Sequence, residues 1–254
     1  MSLAPLVSLR NIAKRFANGT EALRGFSLDI HEGGFVSLLG PSGCGKSTVL
    51  RLIAGLTDPT EGTVTRTQQD RPLGFVFQDP TLMPWRTVRG NVHLPLRLAG
   101  ISKTLAIPRI EAALAQVGLQ RFAGSYPRQL SGGMKMRVSI ARALVMRPTL
   151  LLMDEPFAAL DEITRARLND DLLQLRASQR LTIVFVTHSV YESVFLSDRV
   201  VVMAQHPGRV IADIQIEAPE IRDEAYRTGE LYNRQCRHVS AALRTAMLEQ
   251  DVAA

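Results

Sequence analysis

The sequence predicts an α/β fold: a mixed sheet with flanking helices, an N-terminal antiparallel β region and an inserted helical subdomain. Three observations carry this. Short apolar runs alternate with helix-compatible segments, the order that parallel crossover connections produce. One such run, Phe35–Leu39, leads into the glycine-rich turn "GPSGCGKST", and the helix-compatible "VLRLIAGL" leads out. The stretch at about 79–148 breaks the alternation and reads as mostly helical.

The strand-like segments, in order, are Val7–Ile12, Leu28–Ile30, Phe35–Leu39, Gly62–Arg66, Leu73–Phe77, Leu150–Met153, Thr182–Val186 and Arg199–Met203, with "PGRVIADIQIE" as a late hairpin arm. Helices are expected from Lys46, over Thr87–Ala99, Leu105–Val117, Ser131–Met146, Glu162–Arg176 and Val190–Leu196, and after Ala218. The organisation this gives is one domain over 1–216, interrupted by a helical subdomain at about 79–148, and a helical tail over 217–254.

Bulk properties narrow the class. The 254 residues are 46% hydrophobic and 21% charged, which suits a globular chain. No apolar run approaches the ~18 residues of a membrane-spanning helix. The start "MSLAPLVSLRNIAKRF" lacks the pattern of a signal peptide, and Cys44 and Cys236 make no disulfide framework. The expectation is a cytoplasmic protein. The net charge of +6 admits nucleic acid, anionic membrane or an anionic ligand as partner. Between Thr81 and Met153 eleven Arg or Lys face one acid, Glu111. An arginine-rich composition accounts for this as well as a functional basic face does.

Gly40-x-x-x-x-Gly45-Lys46-Ser47 matches the phosphate-loop pattern. Phosphate oxygens are held by several backbone N–H groups at once. Glycines allow the backbone angles and clear the path, and the helix from Lys46 aims its positive end at the same oxygens. The candidate nucleotide-binding residues are therefore Gly40, Ser42, Gly43, Cys44, Gly45, Lys46, Ser47 and Thr48. Lys46 can reach the β- and γ-phosphates and the Ser47 hydroxyl can ligate Mg²⁺. The same helix start and lysine would favour a Cys44 thiolate.

"LLLMDEP" ends an apolar strand in two acids, which alternation sends to different sides. Asp154 would bind Mg²⁺ and Glu155 would polarise the attacking water. Taken alone, an ordinary strand-end acid pair is the better explanation. In "LSGGMKMRVSIARAL", Ser131 is a good N-cap and Met134, Val138, Ala141 and Val145 share one face. Its helix start is a second anion-seeking site, or a capped helix with a loose glycine entry.

"GPSGCGKST", "FVFQDP", "LSGGMKMR", "LLLMDEP", "AALDE" and "VTHS" stand in this order. The set resembles the ATP-binding cassette ATPases, over about Leu9 to Asp213. The resemblance implies a P-loop NTPase core, ATP and Mg²⁺, and a nucleotide sandwiched between two copies. It puts Phe16 against adenine and Gln78 near Mg²⁺ and the water. Ser131, Gly132 and Gly133 contact the partner's nucleotide, Asp161 lies in the loop touching the opposite subunit, and His188 contacts the γ-phosphate. Catalysis would rest on Glu155, His188 and Gln78, and metal binding on Ser47, Gln78 and Asp154. Two departures are Met134, where the family usually has glutamine, and Phe16 in place of the commoner tyrosine.

"FQDPTLMPWRTVRGNVHLPL" and "MAQHPGRV" resemble the branch serving nitrate, sulfonate, taurine and related solutes. The partners implied are a second copy, transmembrane permease subunits and, indirectly, a periplasmic or extracellular solute-binding protein, with no nucleic acid. The place implied is the inner face of the cell membrane. The alternative is a soluble nucleic-acid- or ribosome-associated ATPase of the same superfamily, whose members usually carry two cassettes or a long coiled coil. Trp85 is expected at the rim of the groove that receives a permease helix, and Arg89, Arg97, Lys103 and Arg109 on a face toward anionic lipid.

Overall fold

The structure, a computed structural model, describes residues 4–68, 70–205 and 207–251. His206 of "MAQHPGRV" and the last residues of the expected tail, 252–254, lie outside the described residues. In chain order the elements are β1 (Val7–Arg15), β2 (Glu21–Ile30), β3 (Phe35–Leu39), α1 (Lys46–Ile53), β4 (Glu61–Arg66), β5 (Leu73–Val76), α2 (Val88–Leu98), α3 (Lys103–Gln116), α4 (Gly132–Leu144), β6 (Leu150–Asp154), α5 (Glu162–Gln179), β7 (Thr182–Thr187), α6 (Val190–Leu196), β8 (Arg199–Ala204), β9 (Arg209–Gln215), α7 (Glu224–Thr228) and α8 (Glu230–Asp251). They fall into two compact units, one made of Met1–Gln69 and Thr182–Ala254, the other of Asp70–Leu181.

In the first unit every residue of β3 is buried. A strand with no polar face needs cover on both sides, and its neighbours read the same way: β7 is also buried throughout. β7 and β8 flank β3 in parallel, setting Leu38 between Val186 and Val201, and β9 adds to β8 antiparallel. A separate antiparallel sheet has the order β2-β1-β4. Its β2 begins at Glu21, well before the expected Leu28, because pairing with β1 continues through Phe26, Leu23 and Glu21. The "EALRG" start hides this partnership, since Glu21, Arg24 and Gly25 break up its apolar residues.

In the second unit β5 and β6 pair in parallel, Leu73 opposite Leu150 and Val76 opposite Met153. Helices α2, α3 and α4 pack on one another, and α4 also packs on β5. Gly74 permits that approach: a Cβ there would lie 2.8 Å from Leu151 Cδ1 and 3.2 Å from Ala143 Cβ. On α4, Val138, Ala141 and Val145 are buried as the shared face requires, while Met134 is half-buried. The fold is the mixed α/β type with an N-terminal antiparallel sheet.

Candidate functional site

The candidate residues are distributed over both units and are taken unit by unit. In the first, the turn between β3 and α1 is shaped by backbone rather than side chains. Gly43 and Gly45 hold φ values of 82° and 91°, the left-handed region that glycine enters without penalty. Space is as tight as the torsions demand. A Cβ on Gly45 would lie 2.7 Å from Leu23 Cδ2, and one on Gly40 2.6 Å from the Met203 carbonyl. Gly45 is the N-cap of α1 and makes no side-chain cap, so the first-turn N–H groups are not consumed by one. That is the arrangement an anion needs.

Lys46 is buried and curls back over the turn, its Nζ donating to the Gly40 carbonyl at 2.7 Å and the Pro41 carbonyl at 2.9 Å. The ammonium is thus held over the loop by main-chain carbonyls. Two residues of "MAQHPGRV" support the same loop. Gln205 donates its side-chain amide to the Ser42 carbonyl. Gly208 sits so close that a Cβ would collide with the Cys44 and Ala22 carbonyl oxygens. Its N–H donates to the Ala22 carbonyl at 3.1 Å, and its carbonyl accepts from Arg24 N at 3.0 Å. Sequence reasoning used this stretch as a branch marker and the start of a hairpin arm; Gly208 was the signal for its support of the loop, a glycine in a strand-like run.

Cys44 corrects an expectation. Its side chain is fully buried, and burial pushes the thiol up from its ordinary value, outweighing the opposing influence of Lys46. A helix start and a lysine favour a thiolate only where water or the cation can solvate it.

Ser47 and Thr48 are half-buried at the start of α1. Phe16, in the turn from β1 to β2, is 38% exposed with the Lys14 ammonium 5.4 Å from its ring centroid. His188 follows the last residue of β7 and is exposed. Its turn is braced. Thr187 donates its hydroxyl to the buried Glu192 carboxylate at 2.5 Å and accepts from Ser189 N at 3.0 Å, while Ser189 caps α6 by accepting from Glu192 N at 3.3 Å.

In the second unit, β6 ends at Asp154 and Glu155 turns off into the left-handed region with φ 45°. The strand therefore stops at Asp154, and its alternation does not carry through to Glu155. A non-glycine residue held there, with Pro156 next, stores on the order of 1 kcal/mol that the surrounding fold must offset.

Gln78 lies just past β5 and is exposed. The chain after it is gripped from α4. Arg142 donates to the Thr81 carbonyl at 2.8 Å, the Pro80 carbonyl at 2.8 Å and the Thr81 hydroxyl at 2.9 Å. Thr81 itself has φ 47°, its N–H bonded to Asp79 Oδ1 at 2.9 Å. α4 and the loop that follows Gln78 are thereby joined by one guanidinium. Sequence analysis counted Arg142 only as charge; an arginine inside the otherwise apolar "VSIARALV" was the signal to follow.

Ser131 caps α4, its hydroxyl accepting from Met134 N at 3.3 Å. Gly133 abuts Thr164 of α5, where a Cβ would stand 2.5 Å from the threonine methyl. Asp161 is the N-cap of α5, and the Thr164 N–H it accepts at 2.9 Å holds its carboxyl below the ordinary value. Two basic residues are engaged within the unit. Arg137 bonds the Val117 carbonyl at 3.0 Å and pairs with Asp171 at 2.5 Å, so it fastens helices to one another. Arg89 pairs with Glu111 at 2.7 Å, which compensates one of the four charges assigned to a lipid-facing surface. Trp85, 72% exposed, is no core residue.

Cys44 and the buried Cys236 both have thiols raised by burial, so neither reacts with iodoacetamide at pH 7.5 in the folded chain, and both react in urea. Mass spectrometry after timed labelling checks this. Modification of folded Cys44 at the rate of a free thiol shows the loop to be open.

The ABC transporter family pattern matches residues 23–158. An uncharacterised ABC transporter ATP-binding protein of Methanocaldococcus jannaschii is 46% identical over 225 residues, 85% of this chain and 84% of that protein. An aliphatic sulfonates import ATP-binding protein of Rhizobium johnstonii is 48% identical over 217 residues, 85% of this chain and 84% of that protein. Among solved structures, the dimeric bacterial ABC transporter cassette MJ0796 superposes with a TM-score of 0.74 at 35% identity, covering 84% of this chain and 100% of that one. The same cassette has also been solved as a post-hydrolysis dimer bound to ADP and Pi. This chain belongs to the ABC transporter family, as one of its ATP-binding and ATP-hydrolysing subunits.

Proposed function

We propose that two copies of this chain close around two ATP and drive import of a small solute of the nitrate, sulfonate or taurine kind through separate permease subunits. A periplasmic or extracellular binding protein would deliver the solute, and the ATPase would sit at the cytoplasmic face of the membrane. The observation that carries the import reading is the 48% identity to a sulfonate importer's ATP-binding protein along 85% of the chain. Among the described residues no helix is long and apolar enough to cross a membrane. The nucleic-acid alternative loses support, because Arg89, Arg137 and Arg142 are committed to contacts within the second unit.

In this reading the loop Gly40–Thr48 holds the phosphates and Phe16 stacks on adenine. Ser47, Gln78 and Asp154 supply a hydroxyl, an amide and a carboxylate, hard oxygen donors of the kind Mg²⁺ takes. The ion, when bound, neutralises charge on the β- and γ-phosphates. Lys46 opposes the charge developing on the γ-phosphate, Glu155 takes the proton of the attacking water, and His188 contacts the γ-phosphate. Ser131, Gly132, Gly133 and Asp161 serve the nucleotide of the other copy. In the second unit a cleft of about 360 Å³, lined by Phe75, Phe77, Thr81, Leu94, Leu98 and Met146, suits an apolar permease segment.

Lys46→Ala is expected to lower ATP turnover at least ~100-fold, the scale for losing one preorganised charge at a transition state. Turnover within twofold of the parent removes Lys46 from the site. Glu155→Gln keeps the shape and loses the base, so it should bind ATP, cease turnover and run as a dimer on size exclusion with ATP and Mg²⁺. A Glu155→Gln chain that hydrolyses ATP at the parental rate ends that assignment. In vesicles holding the permease, Trp85→Ala should abolish solute uptake while basal ATPase activity stays. Uptake at the parental rate refutes Trp85 as a docking residue.

A further inference from the structure

Helix α6 spans seven residues, Val190–Leu196, and begins two residues after His188. A helix this short has no stability of its own, so neighbours must fix its orientation. It packs on β3, β7 and β8, and the C-terminal segment holds it from its two ends. Near the start of α6, the Tyr232 hydroxyl of α8 donates to the Tyr191 carbonyl at 3.0 Å. At the end, Arg222 donates to the Phe195 carbonyl at 2.8 Å and the Ser197 carbonyl at 2.9 Å, and pairs with Asp198 at 3.0 Å. A buried guanidinium on the last carbonyls is the favourable charge for a helix C-terminus.

Between these two fastenings Phe195 is 2% exposed, enclosed by tail side chains. The Arg227 guanidinium lies 3.9 Å from its ring centroid, and the rings of Tyr226 and Tyr232 stand 6.3 Å and 6.5 Å away. Burial raises the Tyr232 hydroxyl, so it remains a proton donor throughout the neutral range. The turn holding His188 is tied to α6 in the same way, through the Thr187–Glu192 and Ser189–Glu192 bonds.

We propose that the C-terminal segment is a positioning element for hydrolysis: Arg222 and Tyr232 fix α6, and α6 fixes His188. This rests on the reading of His188 as a γ-phosphate contact. Neither residue touches nucleotide; each acts through the helix.

The test uses the full chain with Arg222→Ala, Arg222→Lys, Tyr232→Phe and His188→Ala, singly and with Arg222→Ala and His188→Ala combined. Arg222→Ala should lower kcat about tenfold, part of the ~100-fold that misplacement by about 1 Å can cost, with KM for ATP unchanged. Arg222→Lys should recover most of it, and Tyr232→Phe should show a smaller loss at an unshifted melting temperature. With His188 already removed, Arg222→Ala should cost nothing more. The imidazole resonance of His188, identified by its loss in His188→Ala, should move in Tyr232→Phe. Additive losses, an unmoved resonance, or a loss seen only in KM overturns the positioning role. A His188→Ala chain with parental turnover overturns instead the assignment of His188, and the inference with it.

Discussion

Presenting backbone N–H groups to phosphate is the constraint on which this fold turns. A loop that does so cannot spend those groups on its own hydrogen bonds, nor cover them with side chains. It is therefore unstable by itself and must be clamped from outside. Here the clamp has three parts. The carbonyls of Gly40 and Pro41 accept from Lys46, the Ser42 carbonyl accepts from Gln205, and Gly45 and Gly208 are pressed against Leu23, Ala22 and Cys44. Strand β3, buried at every position, delivers the loop from a rigid sheet. Gly45 is thus required twice over, once for its φ value and once because no Cβ fits.

The same logic governs the arginines. A basic chain invites an outward reading, toward nucleic acid or lipid. Several of its guanidiniums instead point inward, onto main-chain carbonyls that secondary structure has left open. Arg142 satisfies Pro80 and Thr81, Arg137 the end of α3 at Val117, and Arg222 the end of α6. Each carries several donors in a fixed plane, so one side chain can fasten two segments where a lysine would hold one. Net charge is a poor guide to partners when the charges are used as internal fasteners.

Much of this was legible in the sequence because it is local. The phosphate loop, the buried strands and the capped starts of α4 and α5 each follow from residues within a few positions of one another. What escaped depends on distant neighbours. The long β2 is set by its pairing with β1. Arg142 gains its role from a loop 61 residues earlier, and Cys44 its protonated state from burial that no flanking residue announces. Glu155 is the instructive intermediate. Strand alternation was expected to carry through the acid pair, but the strand ends at Asp154 and Glu155 takes a left-handed backbone. The residue types were readable, and the conformation that uses them was not.

Met134 shows how far a motif's chemistry resides in the backbone. The family usually places glutamine there, and its loss would matter greatly if the side chain held the helix start together. It does not. The bond that closes the first turn of α4 runs from the Met134 main-chain N–H to the Ser131 hydroxyl, which any residue but proline can make. Packing at the same turn is secured by Gly133 against Thr164, where again no side chain at position 134 is involved. The half-buried methionine therefore leaves the anion-seeking end of α4 intact, its cap and its glycines in place.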